Sequence, residues 1–139
     1  MGDGCVFCEI VRGERSAHVV LDVPDALGFL DARPLFKGHT LLVPRVHVET
    51  LTDLPGELLG PFFGHAQRLA GVMESVLGAA GSFVAMNNRV SQSVPHLHLH
   101  VVPRNRKDGL RGFFWPRQKY ESDAEAAAYA ERLAGALGA

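Results

Sequence analysis

The stretch Val94-Pro95-His96-Leu97-His98-Leu99-His100-Val101-Val102-Pro103 decides how the chain is read. Three of the seven histidines lie in it, spaced by two. Side chains alternate between the faces of a β-strand, so His96, His98 and His100 fall on one face and Leu97, Leu99 and Val101 on the other. Pro95 and Pro103 bracket the run, as expected at strand ends. The apolar face suits a core. A half-buried strand explains one or two outward polar residues but gives no reason to repeat histidine. Clusters of titratable groups of this kind mark functional sites.

The remainder of the chain narrows the function classes. Its 139 residues suffice for one domain with a core. A 47% hydrophobic and 21% charged composition is that of an ordinary globular protein. No apolar run approaches membrane-spanning length, so no membrane partner is expected. A net charge of −1 argues against binding a nucleic-acid backbone. Met1-Gly2-Asp3-Gly4 lacks the basic start and apolar core of a secretory signal, so a cytoplasmic location is expected.

The only thiols are Cys5 and Cys8, and outside a secretory context such a pair reads as metal-binding or redox-active. The redox reading wants a preceding strand and a long following helix. Cys5 to Arg12 (CVFCEIVR) instead reads as a short helical turn ending at Gly13, with Val6, Phe7 and Ile10 on its apolar side. Metal is favoured, and two thiolates leave a tetrahedral site two ligands short.

Two strand-like segments follow, Ala17 to Val23 and Ala26 to Leu30, parted by the turn signal Pro24-Asp25. Asp31 opens the irregular Asp31-Ala32-Arg33-Pro34; it either closes a turn or accepts hydrogen bonds from a ligand's hydroxyls. Gly38-His39 leads into a third strand, Thr40 to Pro44, and His47 lies just beyond it. Neither histidine is informative alone. Between Thr50 and Gly78, Leu58, Phe62, Ala66, Leu69, Met73 and Val76 recur at helical spacing, which predicts a helix covering the sheet. Pro61 should kink it or delay its start, Gly78 should stop it, and His65 lies on it without a partner.

Ser82 to Met86 reads as a fourth strand, antiparallel to the histidine strand, joined by a loop of amides and hydroxyls (Asn87 to Ser93) able to grip an anion. After a basic loop, Phe113-Phe114-Trp115-Pro116 is either a tail folded on the core or an interface or lid. Ser122-Asp123-Ala124-Glu125 is a capping box opening a last helix from about Asp123 to Leu137, with Tyr129, Leu133 and Leu137 on its apolar side.

The three histidines, together with Asp31-Ala32-Arg33-Pro34, Gly38-His39-Thr40, Asn87 and Gln92-Ser93-Val94, resemble the histidine triad (HIT) superfamily over Cys5 to about Arg104. The resemblance implies an α+β fold: an antiparallel sheet of about five strands, one long helix and a C-terminal helix, pairing into a homodimer. Residues 1–104 would form the core and residues 105–139 a C-terminal extension of the same single domain. It also implies a hydrolase or nucleotidyl transferase acting at the α-phosphate of purine nucleoside phosphoramidates, adenylates or dinucleoside polyphosphates. The middle histidine of the triad, His98, corresponds to the nucleophile that carries the nucleotidyl group. His39, Gln92, Ser93, His100 and Asn87 correspond to residues around the phosphate and leaving group, Asp31 to the ribose ligand, and Val6, Phe7 and Ile10 to the base-pocket wall. No catalytic metal is implied. A structural zinc is, in the CxxC-carrying bacterial-type branch, on Cys5, Cys8, His47 and His96.

Two features depart from the family pattern. Arg89 and Ser91 stand where glycines are common, and Arg89 could contact a longer polyphosphate. Trp115-Pro116 looks similar to a pair that follows the triad in one branch, at a longer spacing. Two rival readings remain. A zinc hydrolase could use all three strand histidines as ligands, but it leaves Gln92-Ser93-Val94 and His39 without a use. A nucleotide-sensing or partner-binding module could turn substrate over only incidentally.

Overall fold

The protein is described by a computed structural model, covering residues 4–110 and 117–138. The Phe113 to Pro116 stretch lies outside the described residues. Contacts divide the chain into two compact units, Met1–Asp108 and Gly109–Ala139.

The first unit is an α+β domain. In chain order it contains α1 (Val6–Val11), β1 (Val19–Val23), β2 (Ala26–Leu30), β3 (Thr40–Pro44), a 3-10 turn (Leu51–Asp53), α2 (Gly56–Leu77), β4 (Gly81–Ala85) and β5 (Leu99–Arg104). The strands form one sheet in the order β1-β2-β3-β5-β4, every neighbouring pair antiparallel. β3 lies at its centre and is buried along its whole length, because both faces are covered. Leu42 of β3 joins Leu97, Leu99 and Val101 against Phe62, Ala66, Leu69 and Met73 of α2. Leu41 and Val43 point the other way, to Leu27, Phe29 and the α1 residues Cys5, Phe7 and Cys8. The alternation inferred from the leucines is therefore met: the apolar set faces α2, and the histidines face the α1 side.

The pairing is shorter than the sequence suggests. β5 begins at Leu99, so His96 and His98 precede the strand. The His96 N–H is spent on the Val94 carbonyl (2.8 Å) and the Leu97 N–H on the Val48 carbonyl (2.8 Å), and the ladder with β3 starts only at Leu99 opposite Leu42. Two details of α2 also differ from expectation. The helix starts at Gly56, well before Pro61, which forfeits only one backbone bond early in the helix. His65 is not unpartnered: its Nε2 meets Asp25 Oδ1 at 3.0 Å, tying α2 to the β1–β2 turn. Gly78 ends the helix in the left-handed conformation, φ 70°.

Gly38 has a positional reason. Its φ is 101°, and a Cβ there would stand 2.8 Å from Leu77 Cδ1, so glycine lets the chain turn sharply into His39. The second unit contains α3 (Asp123–Leu137), capped by Ser122, whose hydroxyl accepts the Glu125 N–H at 3.1 Å. Glu125 returns its carboxylate to the Glu121 N–H (2.7 Å), one residue before the position the capping box requires.

Candidate functional site

Two side-chain clusters form on the α1 face of the sheet, joined by the segment His96-Leu97-His98. The first holds Cys5, Cys8, His47 and His96, whose ligand atoms all lie within 4.8 Å of one another. His96 Nδ1 is 3.4 Å from Cys5 Sγ and 3.5 Å from Cys8 Sγ; His47 Nδ1 is 3.1 Å from Cys8 Sγ and 3.2 Å from His96 Nδ1. A tetrahedral zinc with bonds of about 2.3 Å to sulfur and about 2.1 Å to nitrogen holds such atoms roughly 3.4–3.6 Å apart, so the set fits with shifts of a few tenths of an ångström. The orientation fits too. His96 Nε2–H donates to the Pro44 carbonyl (2.9 Å), which leaves Nδ1 as a lone pair aimed into the cluster. The Cys8 N–H donates to Cys5 Sγ (3.3 Å). Without a cation, burial and the neighbouring Cys5 push the Cys8 thiol up to about 11. A bound zinc would supply the opposing charge and link α1 to the segments after β3 and before β5.

The second cluster is a chain of imidazoles whose tautomers are fixed by the backbone. The Leu35 N–H donates to His39 Nδ1 (3.0 Å), so His39 carries its hydrogen on Nε2. That Nε2–H donates to His100 Nδ1 (2.9 Å), so His100 presents Nε2–H as a donor. Asp31 stands behind the pair, Oδ2 3.7 Å from His39 Nε2. Asp31, His39 and His100 are close enough to suggest a metal site. However, a metal on His39 Nε2 would displace the hydrogen that the Leu35 contact places there, so the group functions as a donor–acceptor relay. His98 completes the set. Its Nδ1–H donates to the His96 carbonyl (2.8 Å), which leaves Nε2 as a free lone pair.

His98 and His100 open onto a cavity of about 740 Å³. Val6, Phe7, Ile10, Phe29 and Leu41 give it apolar walls, and Asp31, Ser93, His98 and His100 give it a polar end. Phe7 touches both clusters edge-on, its ring centre 6.0 Å from that of His96 and 5.0 Å from that of His98. Seven residues expected from the sequence, Val6, Phe7, Ile10, Asp31, Ser93, His98 and His100, therefore line one cavity, and His39 stands behind His100. Gln92 and Asn87 are not among its described walls. The Gln92 amide is committed to the backbone, accepting the Arg89 N–H (2.8 Å) and donating to the Glu49 carbonyl (2.7 Å). Asn87 is exposed. Arg89 (φ 73°) and Ser91 (φ 62°) hold left-handed backbone, the conformation for which glycine is the usual choice. Phe29, Leu41 and the Arg15-Ser16-Ala17-His18 segment also line the cavity, beyond the residues expected from the sequence. Strand alternation opposite Leu42 identifies Leu41; nothing in the sequence flags Arg15 to His18.

Burial favours the neutral form of His39 and His100. His100 is pushed down to about 4 by burial first, then by His98 and His39, and His39 is lowered by burial against the opposing pull of Asp31. Because the folded pKa lies below the ordinary 6.5, the unfolded chain binds a proton that the folded chain refuses. Stability is then fully present above about pH 6.5 and is lost as pH falls toward about 4. Urea denaturation across that window is expected to show the loss, and His100→Asn to make it shallower.

The HIT domain family model matches residues 12–107. The chain belongs to the HIT family. An uncharacterized HIT-like protein of Methanocaldococcus jannaschii is 40% identical over 107 residues, covering 76% of this chain and 82% of that one. The adenosine 5'-monophosphoramidase of Saccharomyces cerevisiae is 32% identical over 132 residues, covering 94% and 81%. A crystal structure of a zinc-bound histidine triad family protein from Mycobacterium smegmatis superposes with TM-score 0.75 at 35% identity, covering 97% of this chain and 99% of that one. These matches show the fold and the family, and zinc is bound by a relative with the same architecture.

Proposed function

We propose that this HIT protein cleaves purine nucleotides at the α-phosphate through a covalent nucleotidyl-histidine intermediate on His98. The observation that carries the reading is the pair of hydrogen bonds that sort the tautomers: His98 offers a lone pair at Nε2 while His100 offers a proton at Nε2, both into one cavity. His98 Nε2 attacks phosphorus, the bond to the leaving group breaks with its electron pair on that group, and a nucleotidyl-imidazolium results. Its Nδ1–H remains on the His96 carbonyl, which shares the new positive charge. Water then attacks phosphorus, the P–N bond breaks, and neutral His98 returns. His100, Ser93 and His39, the last acting through His100, serve the phosphate oxygens and leaving group. Asp31 accepts the ribose hydroxyls, and Val6, Phe7 and Ile10 pack the base. Gln92 holds the loop that presents Ser93, and Asn87 contacts the nucleotide beside the phosphate. Zinc on Cys5, Cys8, His47 and His96 is structural.

The active form is a homodimer of cytoplasmic protein. Among the described residues β4 is an edge of the sheet with Val84 exposed, and Val76 and Leu77 are exposed at the end of α2 that leads into it, so the edge strand and its approach both carry exposed apolar side chains. The yeast relative's activity makes adenosine phosphoramidate the first substrate to try. A panel of adenosine 5'-phosphoramidate, an acyl-adenylate and a dinucleoside polyphosphate, compared by kcat/KM, is expected to rank the phosphoramidate first. Failure to cleave any of the three, with AMP still bound, would favour the nucleotide-sensing reading.

A further inference from the structure

The cavity's apolar walls can sandwich a base, but apolar contact alone separates one purine from another only weakly. Discrimination needs polar groups with a definite donor or acceptor pattern at the rim. On the α1 side, the connection between α1 and β1 brings Arg15 to the same cavity as Val6, Phe7 and Ile10. Arg15 is exposed and held by Glu9: its Nε and Nη2 stand 3.0 and 2.9 Å from Glu9 Oε1. That pairing fixes the side chain by one edge. The other edge, Nη1 and the outward hydrogen of Nη2, remains for a ligand. Guanidinium is donor-only and planar, and its best partner on a purine is the O6/N7 edge of a 6-oxopurine. Adenine presents a donor, its N6 amino group, where guanine and hypoxanthine present the O6 acceptor.

Resting on the nucleotide reading of the cavity, we propose that Arg15, steadied by Glu9, is a specificity-determining residue that reads the 6-oxo edge of a bound purine and favours guanosine and inosine nucleotides over adenosine ones. Arg15 lies on the apolar side of the cavity, where the base is held, so it sets binding and leaves the chemical step alone. A contact of this kind exposed on one side gives about tenfold discrimination, the lower end for a bidentate arginine–purine pair.

The test is equilibrium binding of GMP, IMP, AMP and CMP to the wild type, Arg15→Ala and Arg15→Lys, with a thermal scan of each variant to verify folding. The expected result is that Arg15→Ala weakens GMP and IMP about tenfold and AMP less than about twofold. Arg15→Lys, which keeps the charge but not the planar fork, should restore little of the difference. With guanosine and adenosine phosphoramidates as substrates, the change is expected in KM with kcat unaltered. An unchanged GMP-to-AMP ratio, or equal weakening of all four nucleotides including CMP, would overturn the role of Arg15 and leave the nucleotide reading standing. No binding of any of the four by the wild type would overturn both.

Discussion

Replacing His98 by alanine is expected to lower kcat by about 10⁴-fold or more, the scale seen when a nucleophile that acts within a set of partners is removed. AMP affinity is expected to stay within a few-fold. The two effects separate because the ring contributes differently to each. As a wall of the cavity, His98 is one surface among many, alongside Phe7, Phe29 and Leu41. As the proposed nucleophile it differs from its neighbours: the His96 carbonyl takes its Nδ1–H and leaves one nitrogen free. Neither His100 nor His39 can substitute, since His100 Nδ1 and both nitrogens of His39 are engaged in the relay from Leu35. A variant that kept most of its hydrolysis rate would refute the covalent route. One that lost AMP binding as well would point to a collapsed cavity, which far-UV circular dichroism and Tm would reveal.

Disrupting the cysteine–histidine cluster is expected to have the second-largest effect, this time on the fold. Cys8→Ser, or exhaustive chelation of the wild type, should remove the proposed zinc and cost about 3 kcal/mol, the scale of leaving buried polar groups without their partners. For a domain of this size that corresponds to a fall in Tm of about 10 °C. Activity should fall too, because His96 serves both clusters: its ring faces the two sulfurs and its carbonyl orients His98. Metal content of unchelated protein and a thermal scan, with and without chelator, check this. Well under one zinc per chain, or an unchanged Tm after chelation, would contradict it.

The sequence carried the face assignment of the histidine segment because alternation depends only on neighbouring residues. Leu97, Leu99 and Val101 face α2, and β2 and β3 run over Ala26–Leu30 and Thr40–Pro44 as the apolar pattern indicates. Composition could not show where hydrogen bonds go. His96 and His98 fall before β5 because two backbone donors are spent on Val94 and Val48. His65 found Asp25, 40 residues away, a pairing that helical spacing cannot anticipate. The members of the cysteine–histidine cluster come from three separate segments, and the resemblance to a known family, rather than spacing, put them together. A single exposed arginine after a short helix, such as Arg15, carries no local signal in the sequence.

The central claim, a nucleotide bound covalently to His98, is tested most directly by mass spectrometry. Wild-type protein would be mixed with adenosine 5'-phosphoramidate, denatured within milliseconds at alkaline pH, where a phosphoramidate bond survives, and digested. An adenylyl group on the peptide carrying His98, absent from His98→Ala treated in the same way, is the expected result. Steady turnover with no modified peptide at any quench time, or the group attached to His100, would contradict it.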